Sequence, residues 1–179
     1  MSLRSITVFC GSRSGEDPLF VKHAEELGEL LAEKKIELVY GGGNKGIMGT
    51  IANAALSAGG KVTGVIPKVL LEWEAQHDGL TELMVVEDMH VRKKMLYELG
   101  DAAIILPGGN GTLDELFEML TWNTLQIHNK KIALLNTAGF YDHLIAHMDQ
   151  MSDRGFLYSN WRDRLLVCEN PAAAIAALV

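Results

Sequence analysis

Apolar residues run along this chain in two alternating rhythms. Short runs of consecutive apolar and β-branched residues occur at Ser5–Cys10, Ile36–Tyr40, Lys61–Ile66, Leu83–Val86, Ala102–Leu106, Lys131–Leu135 and Leu165–Val167. Their length and composition predict strands. Between them lie longer stretches with apolar residues three and four apart, the spacing of one helix face. Asp17-Pro18 reads as an N-cap followed by the first helical residue. The helix it opens runs to about Lys34, with Phe20, Ala24, Leu27 and Leu31 on one side. Further helices are expected over Gly46–Ala58, Met89–Leu99, Leu113–Gln126 and Tyr141–Met151, and in the Ala-rich C-terminus. The stretch from Pro67 to Thr81 is the least regular, with a short helical turn expected around Leu70–Ala75.

Strands that alternate with helices imply βαβ units. Strands that read as near-continuous apolar runs are covered on both faces. The predicted fold is therefore α/β: a doubly wound, Rossmann-like, mostly parallel sheet of six or seven strands with helices on both faces. No repeat, linker or low-complexity segment interrupts the pattern, so residues 1–179 are expected to form a single domain.

Composition narrows the partners. The chain has 179 residues, 48% of them apolar, and a formal net charge of −7. A negative surface disfavours nucleic acid and anionic membrane, so neither is expected as a partner. An anionic small ligand remains open, provided its site is built from backbone N–H groups and a few well-placed cations. The two cysteines, Cys10 and Cys168, make neither a disulfide framework nor a metal motif. With no membrane-length apolar run and no signal-peptide layout at the N-terminus, a reduced, cytoplasmic setting is expected.

Ligands of doubly wound sheets bind beyond the carboxyl ends of the strands. Three predicted strands end in small residues there: Gly11-Ser12, Gly41-Gly42-Gly43 and Pro107-Gly108-Gly109. The sharpest segment is Pro107-Gly108-Gly109-Asn110-Gly111-Thr112-Leu113-Asp114-Glu115, between an apolar strand and an amphipathic helix. Unpaired N–H groups and the positive dipole end make such a helix start an anion site. It is neither a Walker loop nor GxGxxG. Gly41, Gly43 and Gly46 do stand at GxGxxG spacing, but no acidic residue closes a strand about 20 residues on, as dinucleotide binding asks. Glu115 has two readings. In Thr112-x-x-Glu115 it can complete a capping box; alternatively it is an acid kept beside an anion site for chemical work. Arg92 also has two. It interrupts the apolar stripe of Met89, Leu96 and Leu99, either snorkelling at the stripe's edge or offering a planar cation to phosphate or carboxylate. His143 and His147 lack the glutamate of a zinc-protease helix, and Cys10 has no base paired to it in the nearby sequence.

These residues resemble one family. Pro107–Glu115 resembles the PGGxGTxxE motif of the LOG ("Lonely guy") proteins, and Met89-His90-Val91-Arg92-Lys93 resembles their M-H-x-R-K. Tyr40-Gly41-Gly42-Gly43 with Gly46-Ile47-Met48-Gly49, and Val8-Phe9-Cys10-Gly11-Ser12, are similar to the family's other loops. The resemblance implies a phosphoribohydrolase that cleaves cytokinin riboside 5′-monophosphates or AMP to free base and ribose 5-phosphate. It implies no metal or organic cofactor, and a homodimer with two sites near the subunit interface. The older label of such proteins, lysine decarboxylase, finds no support in the sequence: no strand–lysine context suggests a pyridoxal phosphate Schiff base.

Carried over by position, Arg92 and Glu115 match the family's catalytic pair. Gly108, Gly109, Gly111 and Thr112 match its phosphate cradle, and Lys93 and Thr121 match further substrate contacts. Gly11, Ser12, Gly42, Gly43, Met89 and Asn110 complete the expected substrate site. Asn110 stands at a variable position, and the match is loosest over Pro67–Thr81, where recognition of the base can differ. Hydrolysis of an N-glycoside builds positive charge on the ribose, which a carboxylate at Glu115 would stabilise, by analogy with glycosidases. Two rivals stay open: a non-catalytic nucleotide or molybdenum-cofactor carrier on the same fold, and an NAD-type oxidoreductase, which the missing ribose-binding acid disfavours.

Overall fold

The computed structural model describes residues 3–71 and 75–179. Among the described residues, seven strands form one sheet. They are β1 (Ser5–Phe9), β2 (Glu37–Tyr40), β3 (Val62–Pro67), β4 (Glu82–Val86), β5 (Ala102–Ile105), β6 (Ile132–Leu135) and β7 (Leu165–Cys168). Every pairing is parallel, in the order β4-β3-β2-β1-β5-β6-β7. The chain winds outward from β1 in one direction to β4, then returns to β1's other side and winds out to β7. The reversal lies between β1 and β5, where crevices form at the strands' carboxyl ends.

Among the described residues, six helices cross between the strands or follow them: α1 (Pro18–Glu33), α2 (Gly46–Ser57), α3 (Met89–Leu99), α4 (Asn110–Thr124), α5 (Asp142–Asp153) and α6 (Pro171–Leu178). The two-residue alternation along the strands divides the core. Ile6, Val8, Leu38, Tyr40 and Ile104 point to the side covered by α1, α2 and α6, through Leu27, Ile51 and Ile175. Phe9, Val39, Val65, Ile105 and Leu134 point to the side covered by α3, α4 and α5, through Leu96, Leu116 and Met148. The doubly wound α/β sheet is thus the observed fold, at the upper of the two strand counts expected.

Most predicted boundaries fall within one or two residues. One departs by three, and it matters. Helix α4 begins at Asn110, not Leu113, and its N-cap is Gly109, with no side chain closing the cap. The capping-box reading of Thr112 and Glu115 is therefore overturned. Thr112 already lies inside the helix, and Glu115 lies a turn beyond the capping positions. Glycine in the first turn argued for a loop, yet a first turn needs few internal hydrogen bonds. Packing anchors it instead: Thr112 is 3% exposed, and its hydroxyl lies where a side chain on Gly108 would stand. Strand β3 also runs on through Pro67, which pairs with Val86, rather than stopping before it. A 3-10 turn over Lys68–Leu70 follows. The rest of the turn expected around Leu70–Ala75 lies in part outside the described residues.

Candidate active site

The reversal between β1 and β5 brings two of the small-residue loops together. Leu106 donates its N–H to Phe9 O at 2.9 Å, and Gly11 donates to Pro107 O at 3.1 Å. The loop after β2 joins them through α2, where Met48 donates to Gly11 O at 3.3 Å. Gly46 makes that junction possible. Its φ is +56°, and any side chain there would run into the Ser12–Arg13 backbone.

Beyond these strand ends opens a cavity of about 360 Å³. Its polar wall includes Ser12, Arg92, Thr112, Asp114 and Glu115; its apolar wall includes Phe9, Met48, Leu70 and Met89. Gly109, Asn110 and Gly111 bring the uncapped first turn of α4 to its edge. Neither Gly109 nor Gly111 has a positive φ, and a side chain on either would meet nothing within 4 Å. Internal packing therefore does not require glycine at these two positions, and without side chains they leave the backbone open to close approach from the cavity.

Arg92 is aimed by α3. Asp88 caps that helix, accepting from His90 and Val91 N–H at 2.8 and 2.9 Å. Arg92 then sits in the first turn, 5% exposed. Its Nε donates to Val65 O at 3.1 Å and its Nη2 to Gly41 O at 3.0 Å, so the ends of β3 and β2 hold the guanidinium plane. Gly41 lacks a side chain where that guanidinium passes, and a Cβ there would collide with it. The edge-snorkelling reading of Arg92 is overturned, because its charge is buried and held by carbonyls.

Asp114, an acid in the cavity wall near the uncapped start of α4, is balanced by a cation from the neighbouring helix. Lys93 Nζ lies 3.1 Å from Asp114 Oδ2 and 3.0 Å from Glu118 Oε2. Burial lowers the ammonium's proton affinity, but the bonds and charges of Glu118 and Asp114 outweigh it, so its pKa stands above the ordinary value. Tyr97 donates to the same Glu118 oxygen at 2.6 Å, and burial, then Glu118, pushes its phenol far above the usual range.

Of the residues expected at the site, Gly11, Ser12, Met89, Arg92, Gly109, Asn110, Gly111, Thr112 and Glu115 line this one cavity. The others do not. Gly108 faces an adjoining hollow with Arg13, Phe20 and Phe140. Gly42 accepts His77 N–H at 3.0 Å and Gly43 bridges Gln76, so both hold the strap before β4. Lys93 is turned toward α4, and Thr121 bonds Phe117 O beside a separate apolar hollow. Phe9, Cys10, Gly41, Met48 and Leu70 line the cavity but were not among the expected residues. Cys10 and Gly41 immediately follow strands, a signal already in the sequence. Met48 and Leu70 carry none, because only packing brings them here.

Comparisons with known proteins agree with this picture. The family model described as "possible lysine decarboxylase" matches residues 48–178. A cytokinin riboside 5′-monophosphate phosphoribohydrolase from Rhodococcoides fascians is 48% identical, over 98% of this chain and 89% of its own length. The enzyme of that name designated LOG7 in Arabidopsis thaliana is 46% identical, over 86% of this chain and 71% of its own. Among solved structures, a molybdenum cofactor binding protein from Rippkaea orientalis superposes with a TM-score of 0.74 at 24% identity, covering 99% of this chain and 96% of the other. That likeness is one of fold. The buried arginine, the acid of α4 and the near full-length identity to the phosphoribohydrolases together establish that this chain belongs to the LOG family.

Proposed function

We propose that this chain hydrolyses the N-glycosidic bond of nucleoside 5′-monophosphates, cytokinin riboside 5′-monophosphates or AMP, to free base and ribose 5-phosphate. One observation carries the reading. Arg92, Glu115 and the uncapped start of α4 share a single cavity, alongside identity to phosphoribohydrolases over nearly the whole chain.

The N–H groups at the start of α4 grip the 5′-phosphate, helped by the helix dipole. Binding energy from this remote group positions the ribose for reaction. Glu115, on the next turn, faces the sugar. As the C1′–N bond lengthens, its electron pair leaves with the base and positive charge gathers on the ribose. The Glu115 carboxylate stabilises that charge and takes a proton from the water whose oxygen bonds to C1′. A proton from solvent completes the departing base. Arg92, already fixed by two carbonyls, directs its guanidinium toward the base or the phosphate. Phe9, Met48, Leu70 and Met89 supply an apolar wall for a planar base.

We further propose that one domain spans the chain, that it works as a homodimer, and that it resides in the cytoplasm. Among the described residues, no helix is long and apolar enough to cross a membrane.

The deciding assay incubates the protein with AMP and with isopentenyladenosine 5′-monophosphate and separates the products by chromatography. Free base from either supports hydrolysis. Tight binding without release would mean that the cavity carries its ligand instead. The same protein given the nucleosides alone should release no base, because the phosphate is the handle.

A further inference from the structure

Arg92 and Lys93 are neighbours on α3, as Asp114 and Glu115 are on α4. Adjacent helical side chains project about 100° apart, so one of each couple can face the cavity while the other faces the opposite helix. On α3 that is the arrangement found: Arg92 lines the cavity, while Lys93 does not and its Nζ spans to Asp114 Oδ2 and Glu118 Oε2 at 3.1 and 3.0 Å. On α4 Glu115 lines the cavity, and Asp114 stands at its rim, where it also meets Lys93. Glu118 lies one turn on from Asp114, on the same helix face. Its Oε2 also accepts the hydroxyl of Tyr97 at 2.6 Å, one turn on from Lys93. The Tyr97 ring in turn stands edge-on to Phe9 of the cavity wall, centroids 5.8 Å apart. Glu118 itself is not part of that wall. Its carboxylate is the point at which two side chains of α3 hold α4.

A partly exposed ion pair adds little stability, but it fixes rotation. We propose that Glu118 is a positioning residue: clasped by Lys93 and Tyr97, it sets the rotation of α4 against α3 and so aims Glu115 into the cavity opposite Arg92. The proposal rests on the hydrolase reading above. It gives Lys93 a different task from direct substrate contact, and kinetics separate the two.

Misplacing a reacting group by about 1 Å costs on the order of a hundredfold. Glu118→Gln should therefore lower kcat for AMP by about tenfold to a hundredfold. It should leave KM within about threefold, because the phosphate cradle is untouched. Lys93→Met should do the same. The double variant should fall no further than either single one, since both open one clasp. Lys93→Arg keeps the ion pairs and should recover most of the turnover. Circular dichroism and melting confirm that each variant is folded at the assay temperature. Unchanged kcat in Glu118→Gln would overturn the proposal. So would additive losses in the double variant, or a Lys93→Met variant that raises KM alone. If the unsubstituted protein releases no base, the hydrolase reading falls and takes this proposal with it. Turnover by that protein beside an unaffected Glu118→Gln overturns the clasp alone.

Discussion

Replacing Gly111 by alanine should make this protein more stable and a worse catalyst at once. Gly111 is the second residue of α4, its φ is not positive, and a Cβ built on it meets nothing within 4 Å. The folded chain can therefore take the methyl group without strain. The unfolded chain loses backbone freedom, which is worth about 0.4–1 kcal/mol to the native state. For a protein of this size that raises Tm by roughly 1–4 °C. On the proposed mechanism, however, the methyl group stands in the way of the phosphate as it approaches the N–H groups of the first turn. Weakening one charge-assisted hydrogen bond costs about 1.5–3 kcal/mol. KM for AMP should then rise about tenfold to a hundredfold, with kcat reduced much less. Scanning calorimetry and steady-state release of adenine measure the two effects on one sample. A lower Tm would show that the glycine serves the fold after all. A raised Tm with unchanged KM would show that the phosphate does not approach this turn.

Glu115→Gln should lower turnover by at least about a hundredfold, the usual scale for a lost acid–base group, while AMP binding by calorimetry persists. Its Tm should stay within about 2 °C, because Glu115 closes no cap; wild-type turnover would discard the assignment. Arg92→Ala should abolish turnover and also destabilise the fold by at least about 1–3 kcal/mol, because buried carbonyls of Gly41 and Val65 lose a donor. An unchanged urea midpoint would refute the buried-clamp account of this arginine. For His23, burial, reinforced by Lys22 and opposed by Glu26, holds the pKa below the ordinary 6.5. The folded state then binds fewer protons than the unfolded one near that pH, so the contribution is present above about pH 6.5 and lost as pH falls below it. Melting at pH 7.5 and 5.5 should show a smaller difference in His23→Gln than in the unsubstituted protein, and an equal difference would refute the account.

Helix α4 shows where a reading of the sequence goes astray. Thr112-x-x-Glu115 satisfies a capping box, and local rules cannot reject it. The helix starts three residues earlier because Thr112 packs against Gly108, and this segment is in turn held by Gly11, which packs against Gly108 and bonds to Pro107 from the far end of the chain. Lys93 is a similar case. Its family position suggests a ligand contact, yet its partners lie 21 and 25 residues away on another helix. The stripe on α3 was plain, but whether Arg92 lay at its edge or in a buried cleft depended on the ends of β2 and β3.

Hydrophobic rhythm alone determined that strands and helices alternate, that both faces of the sheet are covered, and that Arg92 stands out of place on an otherwise apolar stripe; the glycine-rich segment before Glu115 drew attention to that acid. These are properties of residues close in sequence, where the period of the backbone decides which side chains share a face. Only the folded chain decided that β1 lies between β2 and β5, so that three loops meet and the arginine and the acid share one cavity. The reason is physical: a crossover can carry the chain to either side of a parallel strand with equally good local structure. The choice between the two sides is made by burial summed over the whole sheet.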